Sequence, residues 1–247
     1  MRKGFDAAVV KQRIVEWIRN WFKANGDGCY AVIGISGGKD SSVVAALCVE
    51  ALGADRVVGV LMPNGVQADI EDSRRVVSSL GIVHYEVNIE QSVSEMLKLV
   101  QDHVGMVSKQ TKINVPPRIR MTTLYAISQS IDGRVANTCN LSETFVGYET
   151  RWGDSVGDFA PIVNLTTDEV IAVGLLCDKL PRDLVLKTPS DGLCGKTDEE
   201  SFGFTYDQLN AYIWGTATVP EEIGSKIQDM FEKSRFKRMP IPAYDER

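Results

Sequence analysis

Tyr30-Ala31-Val32-Ile33-Gly34-Ile35-Ser36-Gly37-Gly38-Lys39-Asp40-Ser41-Ser42 is the stretch that decides the fold. Its first six residues carry no charge and read as a buried strand, and residues 41–52 read as the helix that follows, closed by Gly53. The bend between them gathers backbone N–H groups into one concavity at the positive end of a helix dipole, which suits a phosphate. Gly37 and Gly38 let the backbone approach an anion with no Cβ in the way, while Ser36, Ser41 and Ser42 offer hydroxyls and Lys39 a cation. Asp40 would repel phosphate unless a cation intervened, so its position points to Mg²⁺ held between carboxylate and phosphate. The plainer alternative is a tight turn whose serine and aspartate only cap the helix. A Walker loop does not fit, because Lys39 is followed by Asp40 and position 33 is not glycine; the G-x-G-x-x-G pattern is absent too.

Outward from this turn the same alternation recurs. Apolar residues at helical spacing from Val9 to Phe22 predict an amphipathic helix over residues 5–25. Strands are predicted at 57–62, 82–87 and 134–138, and helices at 69–80, 90–104, 118–131 and from 141 onward. Strands joined by helical crossovers predict an α/β protein with a doubly wound, mostly parallel sheet, helices on both faces, and ligands at the carboxyl ends of the strands. Residues 138–143 fall at such an end. The pattern breaks at 150–164 and again at 187–204, which read as two long loops able to cover a site. Further helices are predicted at 168–179, 206–214 and 221–234, before a basic, proline-broken tail. No internal repeat or low-complexity linker interrupts residues 1–247, so one domain is expected.

Composition narrows the partners. A net charge of −6 over 247 residues argues against a protein that coats nucleic acid, which normally needs a surplus of Lys and Arg. An anionic ligand must then be held by a few placed groups. The cysteines at 29, 48, 139, 177 and 194 form no C-x-x-C pair and read as reduced thiols of a cytoplasmic protein. No apolar run suits a signal peptide or a membrane span. With His84 and His103 the only histidines, a histidine-rich metal centre or a Ser-His-Asp triad has little to work with.

The turn Ser36-Gly37-Gly38-Lys39-Asp40-Ser41 resembles the S-G-G-x-D-S loop of the ATP pyrophosphatases, which have the adenine nucleotide alpha hydrolase-like fold. The rest of the chain resembles one branch, the ammonia-dependent NAD synthetases. Matching segments are Leu61-Met62-Pro63-Asn64-Gly65 with Gln67, Asn114 to Met121 with its two arginines, and Asn137-Thr138 through Glu143. They continue through Gly147-Tyr148 to Asp158, Lys187-Thr188-Pro189-Ser190, Phe202-Gly203-Phe204-Thr205-Tyr206, and Lys237-Arg238 before Pro240. The resemblance implies that Ser36 to Ser42 hold the ATP phosphates, with Ser36, Lys39 and Asp40 at the reaction centre and Asp40 and Glu143 binding Mg²⁺. It further implies that Gln67, Thr138 and Ser190 contact ATP and that Arg118, Arg151, Asp158 and Lys237 hold deamido-NAD. Three positions depart from the family pattern: Leu61 replaces an arginine, Thr167 a lysine and Phe236 a histidine. Arg151 and Ser190 are conservative changes.

The expected reaction has two halves. The carboxylate of deamido-NAD attacks the α-phosphorus of ATP, giving an acyl-adenylate and pyrophosphate; ammonia then displaces AMP. A homodimer is expected from the resemblance, and with no fused glutaminase in the sequence, ammonia is either free or supplied by a separate glutaminase. Another adenylating amidotransferase, or a nucleotide sensor without turnover, is the alternative.

Overall fold

A computed structural model describes residues 1–67, 69–187 and 197–244. Four strands, β1 (Tyr30–Gly34), β2 (Val57–Leu61), β3 (Val83–Glu86) and β4 (Gly133–Val135), form one sheet in the order β3-β2-β1-β4, with every pairing parallel. The order reverses beside β1, and that reversal opens a crevice at the strands' carboxyl ends.

Strand alternation explains the two layers. Ala31 and Ile33 of β1, with Val57 and Leu61 of β2, pack on α1 (Ala7–Asn25), α2 (Lys39–Leu52), α3 (Ile70–Leu80) and the pair α7 (Thr167–Gly174) and α8 (Arg182–Val185). Val32, Val58 and Val60 face the other way, onto α4 (Glu90–Val104) and α5 (Lys109–Ser130). Both faces of the central strands are therefore buried, which is why those strands read as unbroken apolar runs. β3 differs: all four of its residues are exposed, as befits an edge strand.

A third, smaller core is wholly helical. It joins α6 (Leu141–Val146), α9 (Asp198–Phe202), α10 (Tyr206–Trp214) and α11 (Glu221–Lys233) around Val146, Phe202, Leu209 and Ile227. The short α12 (Arg235–Arg238) follows and turns the basic tail back toward the sheet.

Most elements match the sequence expectations to within a few residues, with three notable differences. α5 begins at Lys109 instead of 118 and runs through Pro116 and Pro117. Two backbone donors are lost there, but Ser108 caps the start and Val115, Pro116 and Pro117 are buried, so packing outweighs the missing bonds. α7 stops at Gly174, five residues short of the expected helix end at 179. The expected loop at 187–204 contains α9, begun by a capping box between Thr197 and Glu200; residues 188–196 lie outside the described residues.

The segment 150–164 is irregular, as expected, yet it is fastened down. Asp158 N–H donates to Val135 O (2.7 Å), Asn137 N–H donates to Phe159 O (2.8 Å), and Ala136 pairs with Phe159 in parallel. A Cβ on Gly157 would lie 2.5 Å from the Asn137 nitrogen, so only glycine lets the two backbones meet this closely.

Candidate active site

The glycine turn sits at the carboxyl end of β1. Gly37 has φ 78°, in the left-handed region, and a Cβ there would fall 3.0 Å from Asp72 Cβ and from the Ser73 nitrogen. No side chain caps the N-terminus of α2, whose N-cap is Gly38. The first N–H groups of that helix therefore face an open cavity, ready for an anion.

The serines serve the turn itself. Ser41 Oγ lies 3.1 Å from Ser36 Oγ, Ser36 Oγ accepts from Gly38 N–H (3.2 Å), and Ser42 Oγ donates to Gly38 O (2.7 Å). Ser42 is fully buried and does not line the cavity, while Ser36, Gly38, Lys39, Asp40 and Ser41 do. Backbone donors thus face an incoming phosphate, and the hydroxyls hold the shape that presents them.

Lys39 is 2% exposed and donates to Asp40 Oδ2 at 2.8 Å. Asp40 Oδ1 accepts from Asn140 Nδ2 (3.1 Å), and the backbone N–H of the same asparagine donates to Glu143 Oε2 (3.3 Å). Asn140 is both the N-cap of α6 and the link between the two carboxylates. Enclosure and the neighbouring Asp40 push the Glu143 carboxyl up to about 8, against the opposing pull of Lys39. A carboxyl held in its acid form beside a second carboxylate and an anion pocket is a place that favours a cation. Among the described residues no group of three or more His, Cys, Asp or Glu is arranged to hold a metal alone. One or two carboxylates completed by substrate oxygens is the manner of Mg²⁺, so the residues fit that ion.

One cavity of about 640 Å³ runs from this turn to the opposite wall. Gln67 and Thr138 line it; Gln67 Nε2 donates to Asp69 Oδ1 (2.8 Å), whose other oxygen accepts from Lys187 Nζ (3.2 Å). At the far wall Lys237 Nζ donates to Gly147 O (2.7 Å) and Glu149 O (2.6 Å). An ammonium has three donors, so one remains for a ligand. Burial holds the Lys237 amine below the usual lysine range, with Glu149 and Asp154 opposing that shift.

Three of the candidates for holding the acid substrate stand elsewhere. Arg118 is exposed and donates to Arg151 O at 3.4 Å; it does not line the cavity. Arg151 lies over the Trp152 ring (4.8 Å) and the Phe236 ring (5.4 Å), outside the cavity wall, and its buried Nε has no partner among the described residues. Asp158 is spent on structure: its oxygens accept from Val135 N–H (2.7 Å) and Tyr125 OH (3.2 Å), standing in for a neighbouring strand beside β4. Ser190 lies outside the described residues.

Residues that the sequence did not single out complete the wall. Arg120, two residues beyond Arg118, turns into the cavity, donates to Met62 O (3.1 Å) and faces Asp69 and Asp154. Asp198 at the start of α9 lines the cavity near the glycine turn and accepts from Tyr206 OH (2.9 Å), and Lys39 Nζ lies 5.8 Å from the Tyr206 ring. Ser73 Oγ is buried beside Gly37 without a partner among the described residues. The two arginines in one matching segment were the only sequence signal for any of these; Asp198 and Ser73 had none. Of the departures, Leu61 is fully buried in β2, Thr167 is buried at the start of α7, and Phe236 is 55% exposed.

A parallel sheet that reverses order above an uncapped helix start, with a lysine–aspartate pair on that first turn, defines an α/β nucleotide-binding protein. The sequence profile described as NAD synthase matches residues 10–241. The NH(3)-dependent NAD(+) synthetase of Pyrococcus horikoshii is 36% identical, over 98% of this chain and 96% of that protein. That of Archaeoglobus fulgidus is 37% identical, over 94% and 95%. Among solved structures, NMN synthetase from Francisella tularensis superposes with a TM-score of 0.89 at 29% identity, covering 98% of this chain and 99% of that one. The chain belongs to the ammonia-dependent NAD synthetase family and is a carbon–nitrogen ligase.

Proposed function

We propose that the protein amidates deamido-NAD to NAD with ammonia and ATP, releasing AMP and pyrophosphate. The observation that carries this reading is the single cavity joining an uncapped phosphate turn to a wall bearing Lys237 and Arg120. Two anionic substrates that must react need two cationic grips facing one space. In the first half-reaction a carboxylate oxygen of the acid bonds to the α-phosphorus, and the bond to the β-phosphate oxygen breaks with its electron pair leaving on pyrophosphate. In the second, the ammonia nitrogen bonds to the acyl carbon, the bond to AMP breaks, and a proton is lost. No protein nucleophile takes part.

The chain's residues bind and align. The N–H groups of the glycine turn and Lys39 hold the phosphates; Gln67 and Thr138 line the nucleotide side; Arg120 and Lys237 hold the acid. Asp40 and Glu143 are the residues that would hold Mg²⁺, which when bound supplies neutralisation of the phosphate charge. Arg118, Arg151 and Trp152 flank this wall on the outside, where the distal half of a dinucleotide would extend. Exposed apolar side chains on and just after α4 (Met96, Leu99, Val104, Met106) and on the edge strand β3 (Val83, Tyr85) support a homodimer by offering surface to bury.

A second acid deserves the same assay. The name of the Francisella relative, NMN synthetase, favours the mononucleotide acid, which carries the same nicotinate carboxylate on a shorter body. Purified protein given Mg-ATP, ammonium and either acid should form AMP and pyrophosphate in equal amounts with the amide. Nucleotide binding with no AMP from either acid would overturn the ligase reading. Ratios of kcat/KM then rank the two acids.

Gly37→Ala tests the turn. It forces a side chain into a left-handed conformation worth about 1–2 kcal/mol and against the start of α3. The expected result is a folded protein with affinity for Mg-ATP weakened about tenfold or more by titration calorimetry, a shift of about 1.4 kcal/mol.

A further inference from the structure

Arg238 does not line the cavity, yet its side chain makes four hydrogen bonds. Its Nη1 donates to Thr144 O (3.1 Å), Phe145 O (3.0 Å) and Ser234 Oγ (2.7 Å); its Nη2 donates to Phe231 O (2.6 Å); and its guanidinium lies 4.1 Å from the centre of the Phe231 ring. The two carbonyls on α6 belong to its last turn, where Thr144 O also accepts from the Gly147 N–H (3.2 Å). One side chain thus caps α6 and fastens α12 to the end of α11.

Apart from Arg238, the helix it fastens is held by the two bonds of Lys237 itself and by the contact of Phe236 with Arg151. α12 is four residues long, far too short to be stable alone, and none of its residues is buried. Phe236 is 55% and the following Met239 51% exposed, so no apolar anchor replaces the arginine. Lys237, the residue before it, is the one that α12 sends into the cavity. The junction has no slack either: a Cβ on Gly147 would fall 2.1 Å from Ser234 Cβ, and the Gly147 carbonyl is one of the two that Lys237 grips.

We propose that Arg238 is a positioning residue for the acid substrate: by capping α6 and locking α12 it sets the Lys237 ammonium at the cavity wall. This rests on the reading of Lys237 as a group that holds the acid. Arg238 acts through Lys237 and touches neither substrate. Its loss therefore weakens capture of the acid and leaves the glycine turn, at the other end of the cavity, as it was.

The experiment is a double-mutant cycle on Lys237→Ala, Arg238→Gln and both together, reading KM for the acid that turns over, KM for Mg-ATP, and kcat. Each single variant should raise the acid KM about tenfold, with kcat and the ATP KM within about twofold of wild type. The double variant should be no worse than Lys237→Ala alone, because one effect is routed through the other. Arg238→Lys, which keeps the charge and loses the fork, should fall between wild type and Arg238→Gln. Multiplicative effects in the double variant, an unchanged acid KM in Arg238→Gln, or an equal rise in the ATP KM would each overturn the proposal. If Lys237→Ala itself leaves the acid KM unchanged, the reading of Lys237 is what fails, and this inference falls with it. Should Arg238→Gln not fold, Arg238→Lys carries the same comparison. Should neither fold, Ser234→Ala removes one of the four acceptors, and an acid KM raised less than about twofold overturns the proposal.

Discussion

Asp40→Asn should yield a folded protein whose turnover is lower by on the order of 10²–10³-fold, the loss seen when one preorganised electrostatic group is taken from a charged transition state. The fold survives because the change is isosteric and because removing the Asp40 charge, which helps keep Glu143 protonated, favours an ionised Glu143 as counter-charge to the buried Lys39. Asn140 can still donate to the amide oxygen that replaces Oδ1. What disappears is one of the two carboxylates facing the phosphate turn. AMP formation measured at saturating substrates, beside a thermal melt, separates the two effects. A rate within a few-fold of wild type would remove Asp40 from any role in cation binding.

Lys39→Met inverts that pattern. The lysine is 2% exposed and its ammonium is held by Asp40 with Glu143 and Asp198 close by, so its removal leaves enclosed carboxylates facing one another. Breaking a buried pair on one side costs about 3–5 kcal/mol, which for a chain of this size lowers the melting temperature by roughly 10 °C. The pH dependence has a definite sign. Glu143 already binds its proton more tightly folded than unfolded, since its carboxyl rises from an ordinary 4.5 to about 8. A raised carboxyl adds stability where it stays protonated, and the benefit drains away as pH climbs from 4.5 through 8. Without Lys39 the rise is larger, so between pH 5 and 8 both proteins lose the benefit in parallel, and only above pH 8 does the variant alone go on losing it: the melting deficit should be level from pH 5 to 8 and widen only as pH climbs toward the variant's own, higher value. A melt within 2 °C of wild type at pH 8 would mean that the pair contributes nothing to the fold.

The sequence carried the turn and the layers because both are written in local patterns. Ile33, Gly34 and Ser36 to Ser42 fix a strand, a bend and a helix start without reference to anything distant, and the uncharged run 57–61 marks a strand buried on both faces. The acid wall was less legible. Arg118 and Arg120 stand two residues apart on one helix, and only the packing of α5 decides which of them turns inward. The prolines at 116 and 117 concealed the helix that sets that rotation. Asp158 entered as a ligand through the resemblance alone; its bonds to Val135 N–H and Tyr125 OH appear only once β4 and α5 lie beside it. Asp198 reaches the cavity through the helical core around Phe202 and Leu209, a contact between parts of the chain that no local pattern encodes.

The two walls of the cavity come from opposite ends of the polypeptide. The phosphate turn is built by about the fortieth residue, whereas Lys237 is added almost two hundred positions later. On the reading proposed above, a cut between α11 and α12 would spare every residue of the glycine turn and remove Lys237, so nucleotide binding and capture of the acid would part company.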